Sequence, residues 1–326
     1  MKKKFRKTFN HIYMSLMLIT SVLLLGVTVI SGFAISNMMY NTYERLFRQR
    51  LDRGVSACLN YVRAVRLSIA RVAERTDVIT FSTNENAVLE VDLSTLSDKQ
   101  TADIAVYAAD GRIYASPRAQ TLPTLAELGE NPKFAEFADG SDTELVLLHC
   151  YEGDYVYDDE VYIGRDGMVT CVNKIFDGNN ALSGYVVADI KPVYLYEYLD
   201  FSADEAFGGS MALIRYDDDY FPLGENYRYL YDSSHSAELM RPVKSQNGKY
   251  LVMRSETSFF GGSITVGVAL ANHYRNVFNA VVPIAVSAAV LMAVAHFAAR
   301  AVAKHTDRRL GALLDKFDST NLDNML

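Results

Sequence analysis

The chain has no tryptophan, and its 326 residues include only three cysteines and seven prolines. No proline precedes Pro117, so nothing of that kind interrupts a helix in the first hundred residues. The cysteines allow one pair and leave one over. The six histidines (His11, His149, His235, His273, His296, His305) sit in no phosphoacceptor context, and no nucleophile–base constellation or nucleotide-binding Gly-rich segment occurs. The chain itself is therefore not read as catalysing, and nothing in it calls for a cofactor. Basic residues are scarce through the middle: residues 77–274 hold 32 Asp and Glu against 13 Lys and Arg. That excludes a nucleic-acid-binding face and disfavours adhesion to anionic lipid. The acidic clusters Asp158-Asp159-Glu160 and Asp217-Asp218-Asp219 lack the D-x-[DN]-x-[DN]-G spacing of a calcium loop, so no metal is expected and solvation explains them.

Two long apolar runs are present. Ile12–Ile35 has 24 residues without a charge, and Val277–Ala299 has 23, interrupted chiefly by Asn279, Ser287 and His296. At about 1.5 Å per residue each spans roughly 35 Å as a helix, enough to cross a hydrocarbon core of about 30 Å. Lys2, Lys3, Lys4, Arg6 and Lys7 precede the first run, and Arg300, Lys304, Arg308, Arg309 and Lys316 follow the second. Such charges stay in the cytoplasm, so both termini are expected inside and the acidic middle outside, with the lipid bilayer as an obligatory partner. The first run is longer than a signal-peptide core and lacks a cleavage site. Arg45, Arg48, Arg50 and Arg53 run against the rule on the outer side.

Past the first run, apolar residues recur at Met39, Tyr43, Leu46/Phe47, Leu51, Val55, Cys58, Val62, Val65, Ile69 and Val72, spaced by three and four. This predicts one long helix to about Glu74 with a buried seam. After Thr76 the pattern turns to short β segments. Asp110-Gly111, Asp166-Gly167, Asp177-Gly178 and Asn247-Gly248 predict hairpins, the second joining 162–164 to 168–173. Leu145–Cys150 and Met168–Val172 read as strands that pair. One helical stretch is expected from Thr124 to Ala138 and another from Val193 to Leu199. The fold class is α+β: two antiparallel-sheet units on a long N-terminal helix, flanked by two transmembrane helices. The expected organisation is a basic N-terminus (1–11), a first span (12–36), the long outer helix (37–76), a membrane-distal unit (77–200), a smaller membrane-proximal unit (201–276), a second span (277–299) and a cytoplasmic helix (300–326).

The order of long helix, Asp-Gly hairpin, helices, Tyr162-Ile-Gly-Arg-Asp-Gly-Met-Val-Thr170 and Gly184-Tyr-Val-Val-Ala-Asp-Ile190 resembles the double Cache extracellular sensor domain, built of two PAS-like units, over about residues 37–276. The tail from Arg300, with a seam at Ala301/Val302, Leu310, Leu313/Leu314 and Phe317, is similar to the first helix of a HAMP linker; Asp307 stands near the place where that family carries a proline. The resemblance implies the input half of a two-component sensor histidine kinase, signalling to a cytoplasmic response regulator if a kinase domain follows. A chemoreceptor or diguanylate cyclase input half, or a complete non-enzymatic membrane ligand-binding protein, is the alternative. It also implies an extracellular small-molecule ligand contacted by Tyr162 and Asp189, the carboxylate holding an ammonium group. The Arg-x-Trp feature that grips a carboxylate in amino-acid-binding relatives is missing. Arg165 and Arg118 are candidate anion anchors. Asp189 as a helix cap and Tyr162 as core are the structural alternatives. Cys150 and Cys171 would lie outside, where oxidation is possible, and are a candidate disulfide. In the second span Ala285, Ala289 and Ala293 have the small-xxx-small spacing of close helix packing, which fits a homodimeric bundle.

Overall fold

The computed structural model describes residues 2–89, 93, 104–115, 124–149, 154–157, 160–163, 168–190, 192–201, 206–207, 209–216, 219–223, 230, 241–245, 248–256 and 262–323. They divide into two compact units, Glu44–Asn272 and the segments Met1–Tyr43 with His273–Leu326.

Helix α1 runs without a break from Lys2 to Ala73. Its seam is the one its spacing predicts: Tyr43, Phe47, Leu51, Val55, Cys58, Val62, Val65, Ile69 and Val72 are all buried, whereas Leu46 is exposed. Burying each Val, Leu, Ile or Phe contributes about 1.5–3 kcal/mol relative to exposure. Phe47 packs against the rings of Phe201 and Phe207, and Tyr61 against Tyr198. Cys58 donates its thiol hydrogen to the Leu195 carbonyl at 3.4 Å. Residues 76–83, read in sequence as the start of β structure, instead form helix α2 (Thr76–Thr83). Asp77 stabilises its first turn by accepting from the Val78 N–H, and Val78, Phe81 and Ser82 turn inward at helical spacing.

The first sheet holds β1 (Ile104–Ala108), β2 (Ile113–Ala115), β3 (Glu144–His149), β6 (Met168–Phe176) and β7 (Leu182–Ile190) in the order β2-β1-β7-β6-β3, all antiparallel. Gly111 adopts φ +89° at the β1–β2 turn, a conformation that favours glycine. Strands β4 (Asp154–Tyr157) and β5 (Glu160–Ile163) form a separate two-stranded hairpin. This corrects the hairpin expected across Asp166-Gly167: β6 is central, and β3 and β7 already occupy both of its edges. The expected helix at 124–138 is two, α3 (Leu125–Gly129) and α4 (Pro132–Asp139). Thr124 and Glu127 form a reciprocal capping box on the first, and Asn131 caps the second. Pro132 forces Asn131 into an extended conformation, ψ 119°, which breaks the helix there.

Helix α5 (Pro192–Leu199) leads to the second sheet, made of β8 (Ser210–Tyr216), β9 (Asp219–Leu223), β10 (Val243–Lys244), β11 (Tyr250–Glu256) and β12 (Ser263–Ala269) in the order β10-β11-β12-β8-β9. When strands are counted within each sheet by chain order, both sheets read second, first, fifth, fourth, third. The chain thus folds the same topology twice.

In the other unit, α1 meets helix α6 (Ala271–Asp323) in antiparallel order. The Tyr13 hydroxyl lies 3.3 Å from His296 Nδ1, a Cβ on Gly32 would touch Val281 at 3.5 Å, and Tyr40 and Tyr43 pack on the buried His273 ring with centroids 5.6 and 5.1 Å away. Both helices carry stretches long and apolar enough to cross a membrane. Their large apolar side chains face outward, Phe33 at 75% and Phe278 at 66% exposure.

Gly54 marks the closest approach of α1 to α5, because a Cβ there would sit 2.6 Å from the Tyr198 carbonyl oxygen. A Gly54→Ala substitution must push α5 away from the seam. It is expected to lower unfolding stability by about 1–3 kcal/mol despite its gain in helix propensity, read as a shifted denaturation midpoint by circular dichroism. A stabilised variant would show that the approach is not a constraint.

Candidate functional site

Successive side chains of a strand alternate between faces, so the register assigns each residue to a side of the first sheet. Ala105, Tyr107, Leu147, Val172, Tyr185 and Val187 lie on one face, packed with Leu128 of α3 and Phe134 and Phe137 of α4. Thr170 and Asp189 lie on the same face, two residues beyond Val172 and Val187 and directly paired across β6 and β7. Both are buried. The Thr170 hydroxyl donates to Asp189 Oδ1 at 2.6 Å. A buried carboxylate is tolerable only when hydrogen-bonded, and the Thr170 hydroxyl is one donor that meets that need.

The far end of this face is closed differently. Lys174, also buried, donates from Nζ to the Gly140 carbonyl at the end of α4, at 2.6 Å, and stands 4.7 Å over the Phe137 ring. Its charge is thereby held by a carbonyl and a ring face. The two ends of one sheet face therefore carry opposite charge, roughly 13 Å apart at about 3.3 Å per residue. The chain leaves the sheet after His149 and re-enters at Met168, its register partner. The β4–β5 hairpin belongs to this excursion, which departs from the Asp189 end.

Of the site residues expected from sequence, Asp189 lies buried on the sheet face that α3 and α4 cover. Tyr162 lies on β5 opposite Tyr155. The side chain of Tyr162, and Arg118, Arg165 and Cys150 entirely, lie outside the described residues. Cys171 is a free, buried thiol on the opposite face, paired in register with Val146 rather than with the end of β3. The sequence reading assigned no role to Thr170 as a partner of Asp189. The two residues come into register only past the irregularity between Ile175 and Phe176, so counting back from the Asp177-Gly178 turn alone would pair Thr170 with Ala188 instead. Ala285, Ala289 and Ala293 are exposed in the single chain, while Ala288 on the adjoining face is buried. His296, expected to face protein, is contacted by Tyr13 but otherwise exposed.

No protein-family model matches the sequence, and no curated protein matches it. Solved structures do. A domain of a Vibrio parahaemolyticus protein, named as a sensory box/GGDEF family member, is similar with a TM-score of 0.50 and 12% identity, over 71% of this chain and 97% of that one. The extracellular domain of a protein named as histidine kinase vpHK1S-Z8 is similar with a TM-score of 0.49 and 13% identity, over 72% and 92% of the two chains. An extracellular ligand-binding receptor from Desulfohalobium retbaense is similar with a TM-score of 0.48 and 12% identity over 68% of this chain, which spans 40% of that one. At 12% identity what is shared with the Vibrio domain is the fold, an α+β arrangement of two PAS-like antiparallel sheets with a long N-terminal helix.

Burial pushes both described thiols, Cys58 and Cys171, up to about 12 from an ordinary 9.0. At pH 8 roughly one in ten thousand of each is thiolate, so neither should react with a maleimide in the native chain, and both should react after denaturation. Folding holds these thiols protonated, so their contribution to stability is complete below pH 9 and is lost as pH rises toward 12. Peptide mapping after labelling checks the first point. Rapid native labelling of Cys171 would mean that its strand opens.

Proposed function

We propose that the chain senses an extracellular small molecule and transmits the binding event across the membrane, as the input half of a sensor histidine kinase. The observation that carries the reading is the buried Thr170–Asp189 pair on the helix-covered face of the first sheet, at the end from which residues 150–167 depart. A carboxylate so placed suits a ligand bearing an ammonium group: the buried charge gains a charged donor on binding, and such hydrogen bonds are about twice as strong as neutral ones. Tyr162, on the excursion, supplies a ring or hydroxyl to the same ligand, and Arg118 and Arg165 are the candidates for an anionic group. Without a tryptophan the chain does not hold an amino-acid carboxylate as the Arg-x-Trp feature does, so a simple amine is favoured over an amino acid.

The flanking lysines and arginines support two spans with both termini cytoplasmic and the two sheets outside. Helix α6 continues through Asp323, which supports a HAMP-like cytoplasmic helix with Val302 and Leu313 exposed for a partner. What separates a kinase from a chemoreceptor or diguanylate cyclase is the output domain joined to that helix in the native polypeptide.

Thermal unfolding of the full chain in detergent, titrated with a panel of small primary amines, tests the sensing. Stabilisation by an amine should weaken by about tenfold or more in Asp189→Asn, and less in Thr170→Val, with circular dichroism unchanged in both. Equal stabilisation of Asp189→Asn, or loss of its fold, would return Asp189 to a structural role.

The outward face Ala285–Ala289–Ala293 supports a homodimer in which two α6 helices meet. Oxidation in native membranes should cross-link Ala289→Cys between two chains and leave Ala288→Cys uncross-linked, because Ala288 is buried within its own chain. The reverse pattern would remove the dimer surface.

A further inference from the structure

The repeated topology makes the two sheets comparable row by row. In the first, the chain between second and third strands supplies α3 and α4, which cover the face carrying Val172 and Lys174. In the second, the corresponding stretch between β9 and β10 supplies Leu230, which covers the face carrying Met211, Leu213 and Val252. Leu230 sits so close that a Cβ on Gly267 would lie 2.6 Å from its Cδ2. These are equivalent faces.

Lys174 belongs to the third cross-strand pair from the hairpin that joins fourth and fifth strands, Lys174↔Tyr185. The third pair from the corresponding hairpin of the second sheet is Arg254↔Thr265. The same place in both repeats thus holds a cation, facing the covered side. Lys174 is satisfied by the α4 carbonyl. Arg254 has no ion pair or hydrogen bond among the described residues, and its Nε is buried without a partner. Beside it lie Thr265, 1% exposed, and in the next row Ser263, 6% exposed, with Arg215 across from Ser263 on β8. Glu256 occupies the same row on β11 but is exposed.

Arg254 is half-buried, and a guanidinium nitrogen closed off from water without an acceptor is costly unless something supplies one; the fork geometry of the group matches a planar or tetrahedral oxyanion. We propose that the second sheet carries its own binding site, in which Arg254, with Arg215 and the hydroxyls of Thr265 and Ser263, receives the carboxylate or phosphate group of a small molecule. The site is separate from the Asp189 site, opposite to it in charge preference, and independent of the kinase reading.

The full chain in detergent micelles is titrated with sodium phosphate and, separately, with sodium malonate, ionic strength being held constant with sodium chloride; the thermal midpoint is followed by circular dichroism. A saturable rise with phosphate alone identifies a phosphate-bearing ligand, and with malonate alone a carboxylate. Arg254→Gln should weaken the response about tenfold or more, whereas Asp189→Asn should leave it intact. If Arg254→Gln fails to fold, Arg254→Lys decides: the charge remains, the fork is lost, and the response should still weaken. No rise beyond that of chloride with either anion, or a response unchanged in Arg254→Gln or Arg254→Lys, overturns the proposal.

Discussion

The buried stripe of α1 from Phe47 to Val72 is the constraint to which the rest of the folded domain answers. A five-stranded sheet buries two faces only if something apolar covers each. The stripe reaches the connection between the sheets through Phe47, Gly54, Cys58 and Tyr61, and reaches β3 of the first sheet through the ion pair of Arg66 with Glu144. Neither sheet is closed by local contacts alone. The aromatic group Phe47–Phe201–Phe207 and the contact of Gly54 with the Tyr198 carbonyl place α5 and the start of the second sheet on the helix that also backs the first. Pairing so far apart in sequence makes the domain a non-local fold, in which α1 must be formed and docked before either sheet is sealed.

How much of this was legible depended on whether a residue's position was fixed by neighbours near in sequence. The α1 seam was legible because helical spacing alone selects Phe47, Leu51, Val55 and Cys58, and nothing tertiary competes. The β1–β2 and β6–β7 hairpins were legible because Asp110-Gly111 and Asp177-Gly178 mark their turns, although an irregularity between Ile175 and Phe176 shifts the register of the second. Asp166-Gly167 carried the same local signal and misled, because β6 has its two edges taken by strands from elsewhere in the chain. Helix α2 was hidden by its β-branched composition, which tertiary burial of Val78 and Phe81 overrides. Asp189 was singled out by resemblance, but Thr170 and Lys174 acquire meaning only once the register places them on the face that α3 and α4 cover.

The two sheets show how one topology accommodates charge differently at equivalent rows. The first face spends its cation on the α4 carbonyl, sealing that end, and leaves a hydroxyl-supported carboxylate at the end where the chain departs on its long excursion. The second face, where Leu230 lies over Gly267, has a cation in the same row whose Nε meets no acceptor among the described residues. On the two sites proposed above, a tandem fold of this kind would divide chemistry between its units: the strands repeat, while the charges at equivalent rows meet different partners among the described residues.

On the proposed sensing function, that division bears on how a signal would leave the domain. The first sheet ends in α5, whose carbonyls at Leu195 and Tyr198 lie against α1. The last strand of the second sheet ends at Ala269, and α6 begins at Ala271. Any rearrangement of β12 is thus delivered to α6 with a single residue between them, whereas a rearrangement of β7 must pass through α5 and its contacts on α1. A ligand that altered the Arg254–Thr265 row would act on the strand joined directly to α6, and one at Asp189 would act through the α1–α5 contact. On the two sites proposed above, inputs with unequal paths to one helix would let the second site modulate what the first transmits, because both would bias the same helix pair, held by Tyr40, Tyr43 and His273 at one end and Tyr13 and His296 at the other.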